Sequence, residues 1–294
     1  MSATADNRRS TTGLKLVPPR ERDTVPPRLQ RSQGEVRLAF KQAYDGRTAL
    51  DDFYQQGCMK ARLPRQIDAT HEAVLINTAG GLTGGDDIRI SARFASGTNA
   101  VITTQACERI YKASAGSAHV SSRLVVAKGA NARWLPQETI LFDGASLSRK
   151  MHADLEEGAS LLACEALILG RPAMGEYVHC ARLTDEWTIS IGGRPVFIDR
   201  LGLDGDLSAE LNRAAVGNGA RCFASIMAAG PSTARQCETA RKLIAASGLL
   251  GGASDLGGVM LARVLAPNSH ELRAGLLPLL EALGNAPLPR VWRI

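Results

Sequence analysis

Four acidic residues follow predicted strands or glycine-rich turns: Asp86, Glu138, Asp143 and Glu176. Carboxylate oxygens bind divalent first-row metals weakly, so carboxylates spread through a β-rich body can pass such an ion on without trapping it. The residue types therefore favour transient handling of a divalent cation over tight binding. That chemistry requires a fold that brings together residues lying far apart in the sequence.

The first of these acids ends a loop, NTAGGLTGGD, with four glycines, Gly80, Gly81, Gly84 and Gly85. Gly80 and Gly85 have the spacing of a phosphate-binding P-loop, but Asp86 stands where that loop needs its lysine. A carboxylate there would repel phosphate strongly in a dry pocket. Leu82 also replaces the second glycine of the dinucleotide fingerprint, and no helix start follows. The loop predicts a tight backbone path that aims Asp86, and not a nucleotide site.

Histidines and cysteines offer little for catalysis or for a preformed metal site. The five histidines form no H-E-x-x-H motif, no serine stands in a G-x-S-x-G elbow, and the six cysteines include no C-x-x-C pair. His179 and Cys180 are neighbours, so on a strand they would point to opposite faces. The pattern favours reduced thiols without a zinc or disulfide framework.

Composition divides the chain at about residue 34. Residues 1–33 contain two Pro-Pro pairs and few large apolar side chains, and residues 1–34 carry seven Arg or Lys against three acids. We predict a disordered, basic, proline-rich arm over 1–33, without the aromatics of a nucleic-acid site. No apolar run approaches the length of a membrane span and the start has no signal-peptide core, which predicts a cytoplasmic protein.

From Gly34 onward the sequence alternates in the way of half-buried strands, as in EVRLAFK and DIRISARF. Three later segments share one shape, a turn glycine, two small or polar residues and then a strand. Their glycines, Gly97, Gly129 and Gly158, are 32 and 29 residues apart, within the range of stacked repeats. We interpret them as one β-hairpin unit used three times; chance similarity between ordinary glycine turns is the alternative.

Helical patterns are confined to the last third of the chain. One helix is predicted within residues 231–248 and another within 267–284, where Asn268 and Glu271 have capping-box spacing. The predicted fold is mainly β, a single large β-rich domain of stacked strands over 34–294, β-helical or sandwich-like. About two α-helices complete it in the C-terminal third.

Five stretches taken together resemble the UreD (UreD/UreH) family of urease accessory proteins. They are NTAGGLTGGD (77–86), TTQACERIYKA (103–113), WLPQETILFDGA (134–145), GRPAMGE (170–176) and LPRVWR (288–293). Each is modest by itself, but five in the family's order are highly specific. The resemblance covers the chain from about Gly34 to its end.

The resemblance implies a cytoplasmic scaffold that is not an enzyme. Such a protein binds the urease structural subunits and the accessory proteins UreF and UreG, has no nucleic-acid or membrane partner, and assists nickel delivery to the urease active site. The resemblance also implies a fold of stacked strands with a pair of helices, and an interior passage for transient Ni²⁺ without a tightly bound cofactor. It further implies a possible homodimer within the accessory complex. Carried over onto the family motifs, the residues lining that passage are Asp86, Glu138, Asp143 and Glu176.

Two other functions stay open at this point. A β-sandwich hydrolase would use Glu138 and Asp143 as a carboxylate pair, although on one straight strand those two would point to opposite faces. A purely structural repeat protein is the third possibility.

Overall fold

Residues 30–65, 70–171 and 175–293 are described by a computed structural model. The predicted arm lies outside the described residues as far as position 29, so its disorder stays a prediction. The first strand begins at Gln33, close to the predicted start of the β-rich domain.

Seven strands form the first sheet, which shows the alternation expected from the sequence. Side by side they are β14 (Arg194–Gly205), β13 (Ala181–Ile191), β11 (Ser146–Leu155), β8 (Ala118–Val126), β5 (Asp87–Phe94), β1 (Gln33–Gln42) and β2 (Thr48–Gly57). In β1 the alternate residues Val36, Leu38 and Phe40 are buried, as are Ile88 and Ile90 in β5. Successive side chains of a strand point to opposite faces, so one face of this sheet packs on a core and the other is left to solvent.

A second sheet lies across that core from the first. Its strands are, in order, β16 (Leu250–Asp255), β17 (Val259–Ala266), β15 (Cys222–Ala229), β12 (Ser160–Leu169), β9 (Asn131–Leu135), β6 (Asn99–Thr104), β4 (His71–Asn77) and β3 (Met59–Arg62). Two short strands, β7 (Glu108–Ile110) and β10 (Thr139–Leu141), pair beside β12. Buried side chains from both sheets, among them Phe94, Leu124 and Ile102, form one shared core.

Successive strands of the stack pair in parallel, which corrects the hairpin unit expected from the sequence. β5, β8 and β11 are parallel neighbours in the first sheet, and β6, β9 and β12 are parallel neighbours in the second. Parallel neighbours cannot be joined by a tight turn, so the chain crosses to the other sheet at each turn glycine, Gly97, Gly129 and Gly158. The repeat is therefore one coil of a β-helix. Its period is confirmed, because Asn99 pairs with Asn131 and Asn131 with Ser160.

Among the described residues, three α-helices lie in the C-terminal third. The two predicted ones are α2 (Thr233–Ser247) and α3 (Ser269–Gly284), and α1 (Leu207–Asn212) is too short to show a helical period in the sequence. Asn268 caps α3: its side-chain oxygen accepts a hydrogen bond from the Glu271 backbone N–H at 2.9 Å, and its amide donates to the Glu271 carboxylate at 2.7 Å. The mainly β fold of stacked strands with a few C-terminal helices is thus confirmed.

Helices α2 and α3 and a terminal 3-10 helix (Arg290–Arg293) cover the outer face of the second sheet. A second core forms there, in which Ile226 and Val264 of the sheet meet Ile244, Leu276 and Trp292. The second sheet is therefore packed on both faces, which makes it the rigid wall behind the candidate site.

In the part of the chain that the structure describes, none of the helices is long and apolar enough to cross a membrane.

Candidate functional site

Four of the five motifs lie at one corner of the β-helix, which we call the motif corner: residues 77–86, 103–113, 134–145, 170–171 and 175–176. Leu82 bridges in parallel to Ile110, and Leu141 pairs with both Ile110 and Leu169. All four side chains are buried. The motifs thus occupy the same position in successive coils, and this explains their regular spacing along the sequence.

The glycine loop is shaped by the next coil, which passes very close to it. Gly81 has a φ of +147°, and a Cβ built on it would lie 2.3 Å from the Tyr111 ring and 2.8 Å from the Arg109 carbonyl oxygen. A Cβ on Gly84 would lie 2.2 Å from the Ala115 carbonyl oxygen. Only glycine fits at these points. The loop is a close-packed backbone path, as predicted.

Asp86 is buried and holds two segments of backbone in place. Its Oδ1 accepts a hydrogen bond from the Ser32 N–H at 2.7 Å, and its Oδ2 accepts one from the Thr83 N–H at 2.8 Å. One bond closes the glycine loop and the other ties the loop to the chain that leads into β1. Both carboxylate oxygens are therefore engaged by the protein itself.

Asp143 plays a similar part in a later coil. Its Oδ1 accepts hydrogen bonds from the backbone N–H groups of His179 and Cys180, each at 2.8 Å, and the Cys180 bond is the main cause that lowers the pKa of Asp143. Glu176 lies beside it. The Glu176 carboxylate accepts from the Arg171 Nε at 2.8 Å and from the Asp143 backbone N–H at 3.4 Å.

Glu138 is buried in an ion pair with a helix residue. The Arg273 Nη1 of α3 donates to both carboxylate oxygens, at 2.8 and 3.0 Å, and the Arg273 Nη2 donates to the Trp292 carbonyl oxygen at 2.7 Å. The Cys107 thiol lies 3.4 Å from the same carboxylate. Glu138 therefore links the motif corner to the C-terminal helix and the terminal turn.

These four carboxylates are not brought together into one site. Asp143 and Glu176 are neighbours, whereas Asp86 and Glu138 have separate partners. Among the residues that the structure describes, no three His, Cys, Asp or Glu side chains form a group that could hold a metal ion. Glu138 and Asp143, the pair that a hydrolase would use, share no hydrogen-bond partner. A role of the four in nickel passage stays a prediction.

A cavity of about 210 Å³ lies between the two sheets, next to the motif corner. Its wall is mostly apolar, with a partly exposed polar group formed by Asn77, Cys107 and Glu108 and a buried one formed by Ser122, Thr139, Arg149 and Glu165. Glu108 and Glu165 are the carboxylates in this wall, and the four predicted carboxylates are not part of it. A larger cavity of about 340 Å³, beside Gly129, Gly158 and Arg235, has no carboxylate in its wall. The cavity next to the motif corner is therefore the better candidate for holding a cationic cargo.

Arg149 holds two carboxylates at the buried end of the cavity. Its Nη1 donates to Glu165 at 2.5 Å, and its Nη2 and Nε donate to Asp185 at 2.6 and 3.1 Å. The Trp134 Nε1 donates to the other Glu165 oxygen at 2.8 Å. Burial raises the pKa of Glu165, and the nearby Arg149 charge opposes that rise. One guanidinium facing two carboxylates leaves this end of the cavity negative when both acids are ionised.

Glu108 is the carboxylate at the more exposed end, and no arginine or lysine of the described residues forms an ion pair with it. The Asn77 amide donates to both of its oxygens, at 3.1 and 3.2 Å. Burial raises the pKa of Glu108. Burial, with the Glu138 charge, also raises the pKa of Cys107 to about 12. At neutral pH and without a metal Cys107 is therefore a thiol and not a thiolate, so metal binding there would require the loss of a proton.

Comparison with known proteins decides the family. A family model described as UreD urease accessory protein matches residues 32–293. The chain belongs to the UreD family. The urease accessory protein UreD of Agrobacterium fabrum is 44% identical over 270 residues, which cover 92% of this chain and 94% of that protein. The UreD of Rhizobium leguminosarum bv. viciae is 46% identical over 268 residues, or 91% of this chain and 97% of that protein.

Family membership confirms the resemblance and assigns this UreD-family chain a part in urease maturation. The UreD relatives are non-catalytic maturation factors, so the hydrolase alternative falls away. An accessory role implies contact with urease and with other accessory proteins.

Sequence reasoning missed the charged residues that line the cavity of this UreD-family chain. Arg149 occupies an inward position of β11 between Leu147 and Met151, and Glu165 interrupts the apolar run of β12. A charge at an inward strand position is a usable signal, because a buried charge is costly unless a partner neutralises it. Glu108 carried no such signal, since β7 has only three residues and shows no clear alternation.

Replacing Asp86 with alanine is expected to lower the free energy of unfolding of this UreD-family chain by about 2 kcal/mol, because two backbone N–H groups lose their acceptor. Chemical denaturation followed by circular dichroism measures the change. Asp87→Ala is the matched control: Asp87 is the next residue and pairs with the exposed Arg89, so its loss should cost less than about 0.5 kcal/mol. If Asp86→Ala left stability intact and lowered the nickel content of matured urease, Asp86 would be a nickel contact and not a turn cap.

Proposed function

We propose that this UreD-family chain is a cytoplasmic scaffold that binds apo-urease together with UreF and UreG and assists the transfer of nickel to the urease active site. The observation that carries the proposal is a cavity lined by the carboxylates Glu108 and Glu165 in a member of a urease accessory family. Nickel is the cargo, held transiently, and no cofactor stays bound.

The chemistry of the cavity wall supports passage better than storage. Glu108 forms no ion pair with the described residues and feels the Arg109 charge only from beyond ion-pair distance, so its carboxylate is open to an entering divalent cation. The Cys107 thiol beside it, which is protonated when no metal is bound, would have to release its proton before it could bind the ion. At the buried end, Glu165 and Asp185 share the single Arg149 guanidinium, so the ion would again meet net negative charge. Oxygen donors at separate points, without a closed cage, suit an ion that must be released.

The carboxylates predicted from the sequence have a weaker case as nickel contacts. Each accepts hydrogen bonds from the backbone or from an arginine, and the better supported role is to hold successive coils of the motif corner together. Nickel contact by Asp86, Glu138, Asp143 and Glu176 stays a prediction. Ni²⁺ would reach these carboxylates only by displacing the hydrogen bonds that they accept.

A strain that lacks this chain provides the test. Restoring the wild-type gene is expected to restore urease activity and nickel content at low nickel supply, whereas Glu108→Gln should load several-fold less nickel. Glutamine keeps the size of the side chain and one contact to Asn77 but removes the charge that attracts Ni²⁺. Nickel per urease is measured by atomic absorption, and capture of urease, UreF and UreG by the tagged chain is measured in the same strains.

Glu157→Gln is the matched control, since Glu157 is exposed in the turn after β11 and outside the cavity wall. It should behave as wild type. A deletion strain whose urease activates fully at low nickel would overturn the scaffold proposal. Normal nickel loading by Glu108→Gln would overturn the cavity as the route while leaving the scaffold role in place. Light scattering of the captured complex reports whether it contains a homodimer of this chain.

A further inference from the structure

We infer that an exposed cationic and aromatic patch on the motif corner is the docking surface for an acidic, extended segment of a partner protein. The patch, which we name the Tyr111 patch, consists of the exposed side chains of Arg109, Tyr111, Lys112 and Arg171 and the buried Phe142 ring that supports them. Such a partner would be urease or another accessory protein, so this assignment rests on the proposed function and adds to it a surface and the chemistry of the bound segment.

The aromatic part of the Tyr111 patch is a rigid row. The Tyr111 ring is 42% exposed, and its centroid lies 5.2 Å from that of Phe142. The Arg171 guanidinium lies 4.4 Å above the Phe142 ring. On the other side the Tyr111 ring covers Gly81, where a side chain would collide with it. A partly exposed tyrosine held in this way loses little conformational entropy on binding, as is typical of residues that anchor protein interfaces.

The members of the row come from successive coils, with Tyr111, Phe142 and Arg171 contributed by one coil each. Neighbouring coils of a β-helix are separated by the inter-strand spacing, about 4.8 Å. The row therefore runs along the axis of the stack. A long, narrow surface of this kind fits a partner segment in extended conformation, which can lie along the row and contact each coil in turn.

At the motif corner the negatively charged side chains lie deeper than the positively charged ones. The carboxylates of Asp86, Glu108, Asp143 and Glu176 accept hydrogen bonds from the protein and are partly or fully buried, whereas Arg109 and Lys112 are exposed. Neither cation forms an ion pair with another described residue. The outward charge of the patch is thus positive, and it is complementary to carboxylates on a partner.

A protein segment matches these features better than a nucleic acid does. The patch has three cations, one of which, Arg171, is paired with Glu176, and this is few for binding a phosphate backbone. The patch is also continuous with the cavity, because Gly80 and Arg109 belong to the cavity wall. A partner docked on Tyr111 would therefore touch the wall through which cargo is proposed to pass.

Charge reversal tests the patch directly on the full chain. A poly-L-glutamate peptide is the probe in one arm, and captured apo-urease with its accessory proteins is the readout in the other. Arg109→Glu/Lys112→Glu is expected to weaken both by about tenfold, because it replaces two attractive contacts with repulsive ones. Arg93→Glu/Lys242→Glu, which reverses one exposed arginine and one exposed lysine elsewhere, should stay within about twofold of wild type.

Tyr111→Phe and Tyr111→Ser separate the ring from its hydroxyl. The Tyr111 hydroxyl reaches the Gly80 carbonyl oxygen only at 3.5 Å, so phenylalanine should bind urease as wild type does and serine should lose most capture. Unchanged thermal unfolding of each variant confirms that its fold is intact.

The outcomes distinguish this assignment from the proposed function. If peptide binding is lost in the double variant but the wild type captures no urease, the proposed function fails and the patch stands. If the double variant binds peptide and urease as wild type does, the patch is overturned and the scaffold role is untouched. Binding of duplex DNA in place of the peptide, or loss of self-association in the double variant, would also overturn the acidic protein partner, in favour of a nucleic acid or a second copy of this chain.

Discussion

Replacing Arg149 with methionine is expected to lower the free energy of unfolding by about 3–5 kcal/mol, because it leaves two carboxylates uncompensated between the sheets. The Arg149 side chain is 5% exposed, and so is that of Glu165. Methionine fills a similar volume, so lost packing contributes little to the effect. Guanidinium denaturation of the purified chain, or of its complex if the chain alone aggregates, measures the change.

The neighbouring Lys150 supplies the matched control. It follows Arg149 on the same strand but points to the opposite face, where its side chain is 64% exposed. Lys150→Met should change stability by less than about 0.5 kcal/mol. Neutralising the acids in the methionine background, with Glu165→Gln and Asp185→Asn, should recover much of the loss. If Lys150→Met proved as costly as Arg149→Met, the buried ion pair would not be the cause.

The loss caused by Arg149→Met is expected to depend on pH. Burial already raises the pKa of Glu165, and removing the nearby positive charge raises it further. With a raised pKa the folded state keeps a proton that the unfolded state has released, so stability falls as pH rises through that window. The variant should therefore differ least from wild type at about pH 5 and most at about pH 8. A pH-independent difference would contradict an ionised Glu165 as its source.

Truncating Trp292 to alanine is expected to cost about 3–5 kcal/mol. The side chain is 1% exposed in the core between the second sheet and α3. Its Nε1 donates to the Thr103 Oγ1 at 3.0 Å and to the Leu135 carbonyl oxygen at 3.2 Å. The truncation removes the packing and both hydrogen bonds. Thermal unfolding followed by circular dichroism reports the loss.

Two variants show which part of Trp292 matters. Trp292→Phe keeps most of the ring but removes the donor, so it should cost about 1–2 kcal/mol. Arg290→Ala, at an exposed position of the same terminal turn, should cost less than about 0.5 kcal/mol. Because the Trp292 carbonyl oxygen also accepts from the Arg273 that holds Glu138, the alanine variant should loosen the motif corner too. Wild-type stability of Trp292→Ala would show that the terminal turn adds nothing to the folded body.

Much of the fold was predictable because its signals are local. Alternation along β1 and β5 marks which side chains are buried, and the capping residues of α3 mark where that helix begins. The turn glycines carried the repeat period, since a sharp corner at positive φ favours glycine in every coil. The pairing partner of each strand could not be predicted in this way, because paired strands lie far apart in the sequence. An antiparallel hairpin and a parallel coil have the same alternation, and the hairpin was the wrong choice.

The candidate site was less predictable, because the role of a charge depends on what faces it. Asp86 was placed correctly at the end of a close-packed loop, but its two backbone partners, Ser32 and Thr83, come from different segments. Glu138 depends on an arginine that is 135 residues away in the sequence. No spacing rule connects such pairs.

The sequence by itself determined the mainly β class, the coil period, the helix positions and the family, since each of these depends on residue type at short or regular spacing. Only the tertiary structure decided that strands pair in parallel, that four motifs stack into one corner, and that Glu108, Arg149 and Glu165 line a cavity. Alternation indicates that a side chain points inward, but it does not indicate which other side chain it contacts. The contacts of a buried carboxylate decide its role, which is to cap a turn, to neutralise an arginine or to bind a cation.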